Sequence, residues 1–387
     1  MKILLVNGHG ADLAYGGTER YVHDLRGGLE RRGHEVTVLS AFPTIVDSSR
    51  DRRVLHDSDW RDSRLLRYRT HADSWLAAAP EKLDPLLSDI GPDLIHTSNL
   101  FGIGTGIWER ARQHGLPVVH TLHDYGLLCP RTSLLRRNGT PCRPSPLLCG
   151  LRTRRLARWS PGVQAVIGVS GHVLRRHDEF FPAATARHVV YAPLAPFPGA
   201  GAIPPSALRT LGFLGTLSVE KGVAALLEAA PGLRAQGITL RIAGDGPLRD
   251  QVKASRNVEY LGPLLRSALT DFVCSCDAGI VPSVWEEPGL TFVALEWLAA
   301  GRPVIASGRG GLAELEPIGG VTRCSPTAAA ITAAVAELTE PARYATLVDS
   351  IPAVEDERDV DRWLEQHLDV YADAMRAAHP VPATQSA

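Results

Sequence analysis

Short apolar runs alternate with amphipathic stretches along this chain, and the whole rhythm occurs twice. Ile3–Val6 reads as a buried strand. A glycine-rich loop follows, then a helix from about Glu19 to Arg32 with Val22, Leu25 and Leu29 on one face at i, i+3 and i+7. Gly33 stops that helix, and Val36–Leu39 supplies the next strand. Leu94–His96, Val118–Leu122 and Ala165–Val169 are further short apolar runs, each with a loop or helical segment beside it. Residues 192–207 read APLAPFPGAGAIPPSA, which has no period and marks a linker, placed at 196–207. Beyond it the strands resume with Leu211–Leu214, Thr239–Ile242, Val258–Leu261, Ala278–Val281 and Pro303–Ala306.

Alternating strands and helices imply parallel sheets covered on both faces. The expected fold is α/β, with two doubly wound, Rossmann-like domains facing across a cleft. An N-terminal domain covers 1–195 and a C-terminal one covers 208–354. A helix at 355–378 has the option of crossing back to the first domain, and 379–387 is a tail. In such sheets ligands sit beyond the carboxyl ends of the strands.

Composition narrows the class. The 387 residues are 44% hydrophobic and 21% charged, which excludes disorder as the main state. A net charge of −1 gives no general pull toward nucleic acid or lipid. No apolar run approaches the roughly 18 residues of a membrane span, and the apolar start is too short for a signal peptide, so the expected location is cytoplasmic. The six cysteines form no CxxC pair and read as plain thiols, with no metal site expected.

Four segments carry candidate chemistry. Gly16-Gly17 opens the first helix, where backbone can approach a ligand and amides favour an anion; a plain turn is the alternative. The preceding Gly8-His9-Gly10-Ala11-Asp12-Leu13 lacks the last glycine of a dinucleotide fingerprint. His123-Asp124 directly follows the Val118–Leu122 strand, a position that faces ligand in α/β sheets. Lys221, near the start of a second-half helix, is a point charge for phosphate or a solvated lysine. PSVWEEPGLTFVALEWLAAG, residues 282–301, places Glu287 in a loop and Glu296 in a helix read over Leu290–Ala300. The first-turn amides at Leu290 and Thr291 would point at an anion, and the two carboxylates would hold sugar hydroxyls.

These segments, with GGTERYVHDLRGGLERRGHEVTVL, PDLIHTSN, PVVHTLHDYGLLCP, FLGTLSVEKGVAALLEAA, IAGDGPL and VEYLGPL in order, resemble the retaining nucleotide-sugar glycosyltransferases of family four, which have the GT-B fold. The resemblance spans nearly the whole chain. It implies a nucleotide-sugar donor held mainly by the second domain and an acceptor held by the first. Glu296 would hold the ribose, Glu287 and His123 the transferred sugar, and Lys221 the diphosphate. Leu290 and Thr291 amides and Gly16-Gly17 would assist, with the base near Tyr260 and with Glu19 and Asp124 on the acceptor side. It further implies no cofactor and no metal, and a front-face mechanism in which the leaving phosphate takes the acceptor's proton.

Two positions depart from the family pattern. Thr216 stands where an Arg is common, which removes one bidentate partner of a diphosphate. Glu287 and Glu296 are separated by eight residues rather than seven, and the Pro288-Gly289 loop is expected to absorb the insertion. Between Arg131 and Arg176 lie ten arginines and no acid, with Leu134, Leu135, Leu147 and Leu148 interleaved. That pattern fits peripheral contact with an anionic membrane or a lipid-linked saccharide acceptor; a small polar acceptor is the other option. Aromatics are too sparse for nucleic acid. The readings set against the transferase are a nucleotide-sugar epimerase or hydrolase on the same fold and an inactive GT-B partner protein.

Overall fold

The computed structural model describes residues 1–8, 16–41, 52–55, 83–136, 139–142, 147–195, 197, 206–354 and 358–379. The chain divides into two compact units. Unit 1 comprises Met1–Thr132, Pro144–Tyr191 and Asp361–Ala387; unit 2 comprises Ser133–Arg143 and Ala192–Val360. The segment Ser133–Arg143 thus belongs to the second unit, where a continuous first domain was expected. Gly139 lies so close to Val219 that a Cβ there would come within 2.6 Å of its Cγ1.

Unit 1 runs β1 (Lys2–Asn7), α1 (Gly17–Arg31), β2 (Glu35–Ser40), β3 (Arg52–Val54), α2 (Leu83–Ile90), β4 (Leu94–Thr97), α3 (Gly106–Gln113), β5 (Val118–Leu122), α4 (Leu148–Ala157), β6 (Ala165–Gly168), α5 (Gly171–Arg176) and β7 (Ala186–Val189). Its described strands form one parallel sheet in the order β3-β2-β1-β4-β5-β6-β7. β1, β4, β5 and β6 are buried almost end to end; β1 and β6 read as apolar runs, while β4 and β5 bury His96, Thr97, His120 and Thr121, which hydrogen-bond one another. α1 buries Tyr21, Val22, Leu25 and Leu29, and Gly33 (φ 81°) ends it in the left-handed region.

Unit 2 runs β8 (Thr210–Leu214), α6 (Val223–Ala235), β9 (Thr239–Ala243), α7 (Arg249–Ala254), β10 (Glu259–Gly262), α8 (Arg266–Cys274), β11 (Ala278–Val281), α9 (Phe292–Ala299), β12 (Val304–Ala306), β13 (Val321–Arg323), α10 (Ala328–Leu338) and α11 (Pro341–Asp349). Its parallel sheet has the order β10-β9-β8-β11-β12-β13. The last helix, α12 (Arg358–Ala378), returns to unit 1 from Asp361 onward, where Leu364 fills the space that a Cβ on Gly28 of α1 would need.

Both sheets share one topological feature. The chain builds outward from β1 to β3, then resumes at β4 on the opposite side of β1; likewise it goes from β8 to β10 and resumes at β11. Loops diverge at such reversal points and leave a crevice at the strand ends. The candidate residues sit at or next to these two points.

Candidate functional site

In unit 2 the reversal lies between β8 and β11. The loop after β8 carries Thr216 and Lys221, and the loop after β11 carries Ser283 to Thr291. Backbone bonds join the two loops: Val284 N–H donates to Glu220 O at 2.8 Å. Gly222 (φ 76°) must be glycine here, because a Cβ would fall 1.8 Å from Pro282 O. The same device fixes the base of the β8 loop, where a Cβ on Gly244 would fall 1.9 Å from Gly215 O.

This docking brings Lys221 to Glu287. Lys221 Nζ donates to Glu287 Oε1 at 2.7 Å and lies 5.0 Å from the Trp285 ring centroid. The Ser283 hydroxyl donates to the same oxygen at 2.5 Å. Glu287 is only 2% exposed, so these partners take the place of water around its carboxylate. Its backbone is clamped as well, with Gly311 N–H donating to Glu287 O at 2.6 Å.

Of the eight residues between the acids, the first four, Pro288 to Thr291, precede the helix. α9 starts at Phe292, so Thr291 is its N-cap and Leu290 precedes the cap. The helix therefore begins two residues later than the sequence indicated, and the first-turn amides are those of Phe292 to Ala294. Thr291 sits at φ 62°, ψ 130°, a region that strains a β-branched residue, while its hydroxyl accepts from Ala294 N–H at 3.3 Å. Glu296 lies within α9, half-buried. Thr216 is exposed. The half-buried Tyr260 spends its hydroxyl on Gly244 O at 3.0 Å, bracing the loop after β9. Ser283 and Arg309, whose Nη1 donates to Val284 O at 2.8 Å, were not singled out from the sequence. Neither carries a motif; only the fold shows that their loops meet Glu287 and Val284.

In unit 1 the reversal lies between β1 and β4. Gly8 N–H donates to Asn99 O at 2.7 Å, tying the two strand ends together. One strand further on, His123 and Asp124 leave the end of β5 and line a pocket of about 480 Å³ with Asn99, Thr105, Arg131 and Arg152. Asp124 accepts from Gly126 N–H at 2.6 Å and from Asn99 Nδ2 at 3.3 Å. Burial raises its pKa above the ordinary value, opposed by the Gly126 bond and Arg152. Burial, with His367 adding to it, pushes the His123 pKa down to about 3, so the imidazole is neutral. Its Nε2 is enclosed and has no hydrogen-bond partner among the described residues, and neither has the hydroxyl of Thr105.

The His123 ring rests edge-on against Tyr21 of α1, with centroids 4.6 Å apart. Tyr21 in turn donates to His367 Nε2, because His367 Nδ1 donates to Trp363 O at 2.7 Å. α12 thus braces the neighbour of His123. Gly16 is the N-cap of α1, and Glu19 folds back over it, with Oε2 2.2 Å from where a Cβ on Gly16 would stand. Gly17 is the exposed first residue of the helix. His9, Gly10 and the rest of 9–15 lie outside the described residues.

No group of three or more His, Cys, Asp or Glu among the described residues is arranged to hold a metal ion. No described helix is long and apolar enough to cross a membrane.

Comparison with known proteins gives the family and the fold. Residues 15–194 match the sequence model of Glycosyltransferase Family 4, and residues 208–341 match that of Glycosyl transferases group 1. The glycogen synthase of Mycobacterium tuberculosis is 29% identical over 351 residues, covering 81% of this chain and 80% of that one. Among solved structures, sucrose-phosphate synthase from Thermosynechococcus elongatus superposes with a TM-score of 0.73 at 20% identity, over 97% of this chain and 99% of that one. Anabaena HepE in complex with UDP and glucose superposes with a TM-score of 0.67 at 18% identity, over 96% and 99%. These likenesses extend over both sheets and establish the GT-B fold. The chain belongs to glycosyltransferase family 4 and is a glycosyltransferase that takes its sugar from a nucleotide-sugar donor.

Proposed function

We propose that this enzyme transfers a hexose from a uridine-diphosphate sugar to an acceptor hydroxyl, with retention at the anomeric carbon and without a metal ion. The carrying observation is the bond from the half-buried Lys221 to the buried Glu287 at the reversal point of the second sheet, one loop away from the N-terminus of α9. An ammonium and first-turn amides are what a leaving diphosphate requires, and together they supply the positive potential a metal would otherwise provide. Glu287 positions the transferred sugar and Glu296 the ribose. The uridine assignment draws on HepE, whose structure holds UDP.

The acceptor hydroxyl belongs to the pocket at the end of β5, in unit 1. His123 is neutral, so it contacts a hydroxyl of the transferred sugar by hydrogen bonding and not by charge. Glu19 and Asp124 complete the acceptor side, and Gly16-Gly17 assist the donor. The bond from C1 to the diphosphate breaks as the acceptor oxygen bonds to C1 on the same face, and the acceptor proton passes to the departing phosphate. No side chain needs to act as a covalent nucleophile, and Glu287, with one oxygen already engaged by Lys221 and Ser283, is suited to orientation.

Thermal unfolding against UDP, GDP, dTDP, ADP and CDP, each with and without chelator, tests this. A nucleotide at about 100 times its Kd adds about 2.7 kcal/mol to stability. One selective shift for UDP, unchanged by chelator, is expected. A shift that vanishes with chelator overturns metal independence, and no shift with any nucleotide overturns the donor assignment. Glu287→Ala and His123→Ala are expected to lower turnover far more than stability; unchanged turnover in both refutes the residue roles.

A further inference from the structure

We propose that the outward face of α4 is a docking surface for an anionic lipid bilayer. The dihedrals of both flanking residues, Leu147 and Arg158, are helical, so the helical surface runs from 147 to 158. Leu147, Leu148 and Leu151 are 77%, 60% and 61% exposed, and Arg154, Arg155 and Arg158 are exposed as well. At about 100° per residue these six side chains fall within an arc of ~120°. The leucines occupy the N-terminal half of that arc and the arginines the C-terminal half. Arg158 also stacks over the Trp159 ring at 4.4 Å.

The opposite side of the helix does the anchoring. Arg152 (6% exposed) and Leu156 (3%) are buried, and Arg152 Nη2 donates to Gly126 O at 2.8 Å. The three outward leucines leave more than half of their surface in water. Leu134 and Leu135, which the sequence pattern grouped with them, are 8% and 5% exposed and take no part.

Charge selects the occupant. No Asp or Glu occurs between Asp124 and Asp178, while ten arginines lie between Arg131 and Arg176. Of the acids on the short turn Asp178–Phe180 that packs on α4, Asp178 is engaged by Arg187 at 2.8 Å, leaving Glu179 as the only other one. An apolar edge followed by guanidinium groups on one helix face matches the boundary between acyl chains and anionic headgroups. Arginine stems can lie along the apolar layer while their heads stay with the phosphates. The inference stands apart from the identity of the acceptor.

Flotation of the full chain with vesicles tests it, using phosphatidylcholine alone against phosphatidylcholine with about 30% phosphatidylglycerol. Binding to the anionic vesicles is expected, weakening as salt rises from about 20 mM to about 500 mM. Arg154→Gln/Arg155→Gln/Arg158→Gln should lose about fivefold per charge, and so roughly a hundredfold in all. Leu147→Ser/Leu148→Ser/Leu151→Ser should lose at least tenfold with an unchanged thermal midpoint. Arg249→Gln/Lys253→Gln/Arg256→Gln on and beside α7 removes the same charge elsewhere and should bind normally. Absence of binding at low salt, or binding untouched by both α4 variants, overturns the proposal. So does a dimer in sedimentation equilibrium that the leucine variant dissolves while vesicles are ignored, which would give the face to a second copy of the chain.

Discussion

Replacing Lys221 by Met removes an ammonium from a carboxylate that has almost no access to water. The 2.7 Å separation at an effective dielectric of about 20 corresponds to about 6 kcal/mol of Coulomb attraction before desolvation. The Lys221 side chain is 32% exposed, so it keeps part of its hydration and only a fraction of that attraction is net. Glu287, 3% exposed as a side chain, loses its principal partner and, among the described residues, keeps the Ser283 hydroxyl. Breaking a fully buried pair costs about 3–5 kcal/mol. With one partner at the surface, Lys221→Met should cost about 2–3 kcal/mol by the same reasoning. Glu287→Gln should cost less, about 1 kcal/mol, because the freed ammonium can turn to solvent and to Trp285.

The double variant carries no stranded charge. Its cost should fall well below the sum of the two, leaving a coupling of about 2 kcal/mol in the cycle. Urea unfolding followed by both tryptophan fluorescence and far-UV CD measures this, with two transitions fitted where the probes diverge, as expected for a two-unit chain. The coupling should persist in about 1 M salt, which would erase a surface pair. Additivity within about 0.5 kcal/mol would refute the reasoning, since it would mean that Glu287 is solvated or satisfied without Lys221. Under the role proposed for Lys221, the stabilisation by nucleotide should also disappear in Lys221→Met.

Three further outcomes are expected. Thr291→Gly trades a strained backbone, worth about 1–3 kcal/mol, for a cap that glycine weakens by only a few tenths. It should therefore raise the thermal midpoint of the unit 2 transition, and a fall equivalent to more than about 1 kcal/mol contradicts the strained geometry. Gly222→Ala meets Pro282 O at 1.8 Å and should cost more than the ~1–2 kcal/mol of an ordinary left-handed alanine, with loss of nucleotide binding; a normal melting curve refutes the loop docking. Burial holds His120 at about 3, and His177 and His367 at about 4, in unit 1. The unfolded chain takes up these protons first, near pH 6.5, so stability is complete above that pH and drains away as pH falls toward 4. At pH 5.5 the three should cost up to about 4 kcal/mol together, and a urea midpoint equal at pH 7.5 and 5.5 sinks that account.

The legible parts of the fold are those where burial forces a simple pattern. β1 and β11 are enclosed on both faces, so each reads as a short apolar run. β3, β7 and β13 lie at sheet edges; RRV, ARHV and VTR are short and polar, and nothing in them separates strand from loop. His123 was legible because position at a strand end is itself a signal. The Lys221–Glu287 bond was not, since the partners are 66 residues apart and meet only because the chain reverses between β8 and β11. The start of α9 was read two residues early because Leu290 and Thr291 continue the apolar run, and only a positive φ at Thr291 breaks it. Membership of Ser133–Arg143 in unit 2 left no mark in composition.

The two units differ in the chemistry they bring to their strand ends, one strand beyond the reversal in unit 1 and at the reversal in unit 2. At the end of β5, burial makes His123 a neutral imidazole and raises Asp124, so the pocket offers hydrogen bonds with little formal charge. At the reversal of the second sheet, an ammonium, a buried carboxylate and a helix N-terminus are concentrated within two loops. A diphosphate is a divalent leaving group and gains most from fixed charge and oriented amides. A hydroxyl is uncharged, and a charged pocket would cost desolvation without return. Under the proposed roles, Thr216 leaves Lys221 as the cation of the β8 loop, and donor binding would have to release it from Glu287. Donor affinity in this enzyme should accordingly respond more to Lys221→Arg, which widens the contact to Glu287, than to restoration of an arginine by Thr216→Arg. Nucleotide titrations of the two variants decide it, and the reverse order would place the principal phosphate contact at position 216.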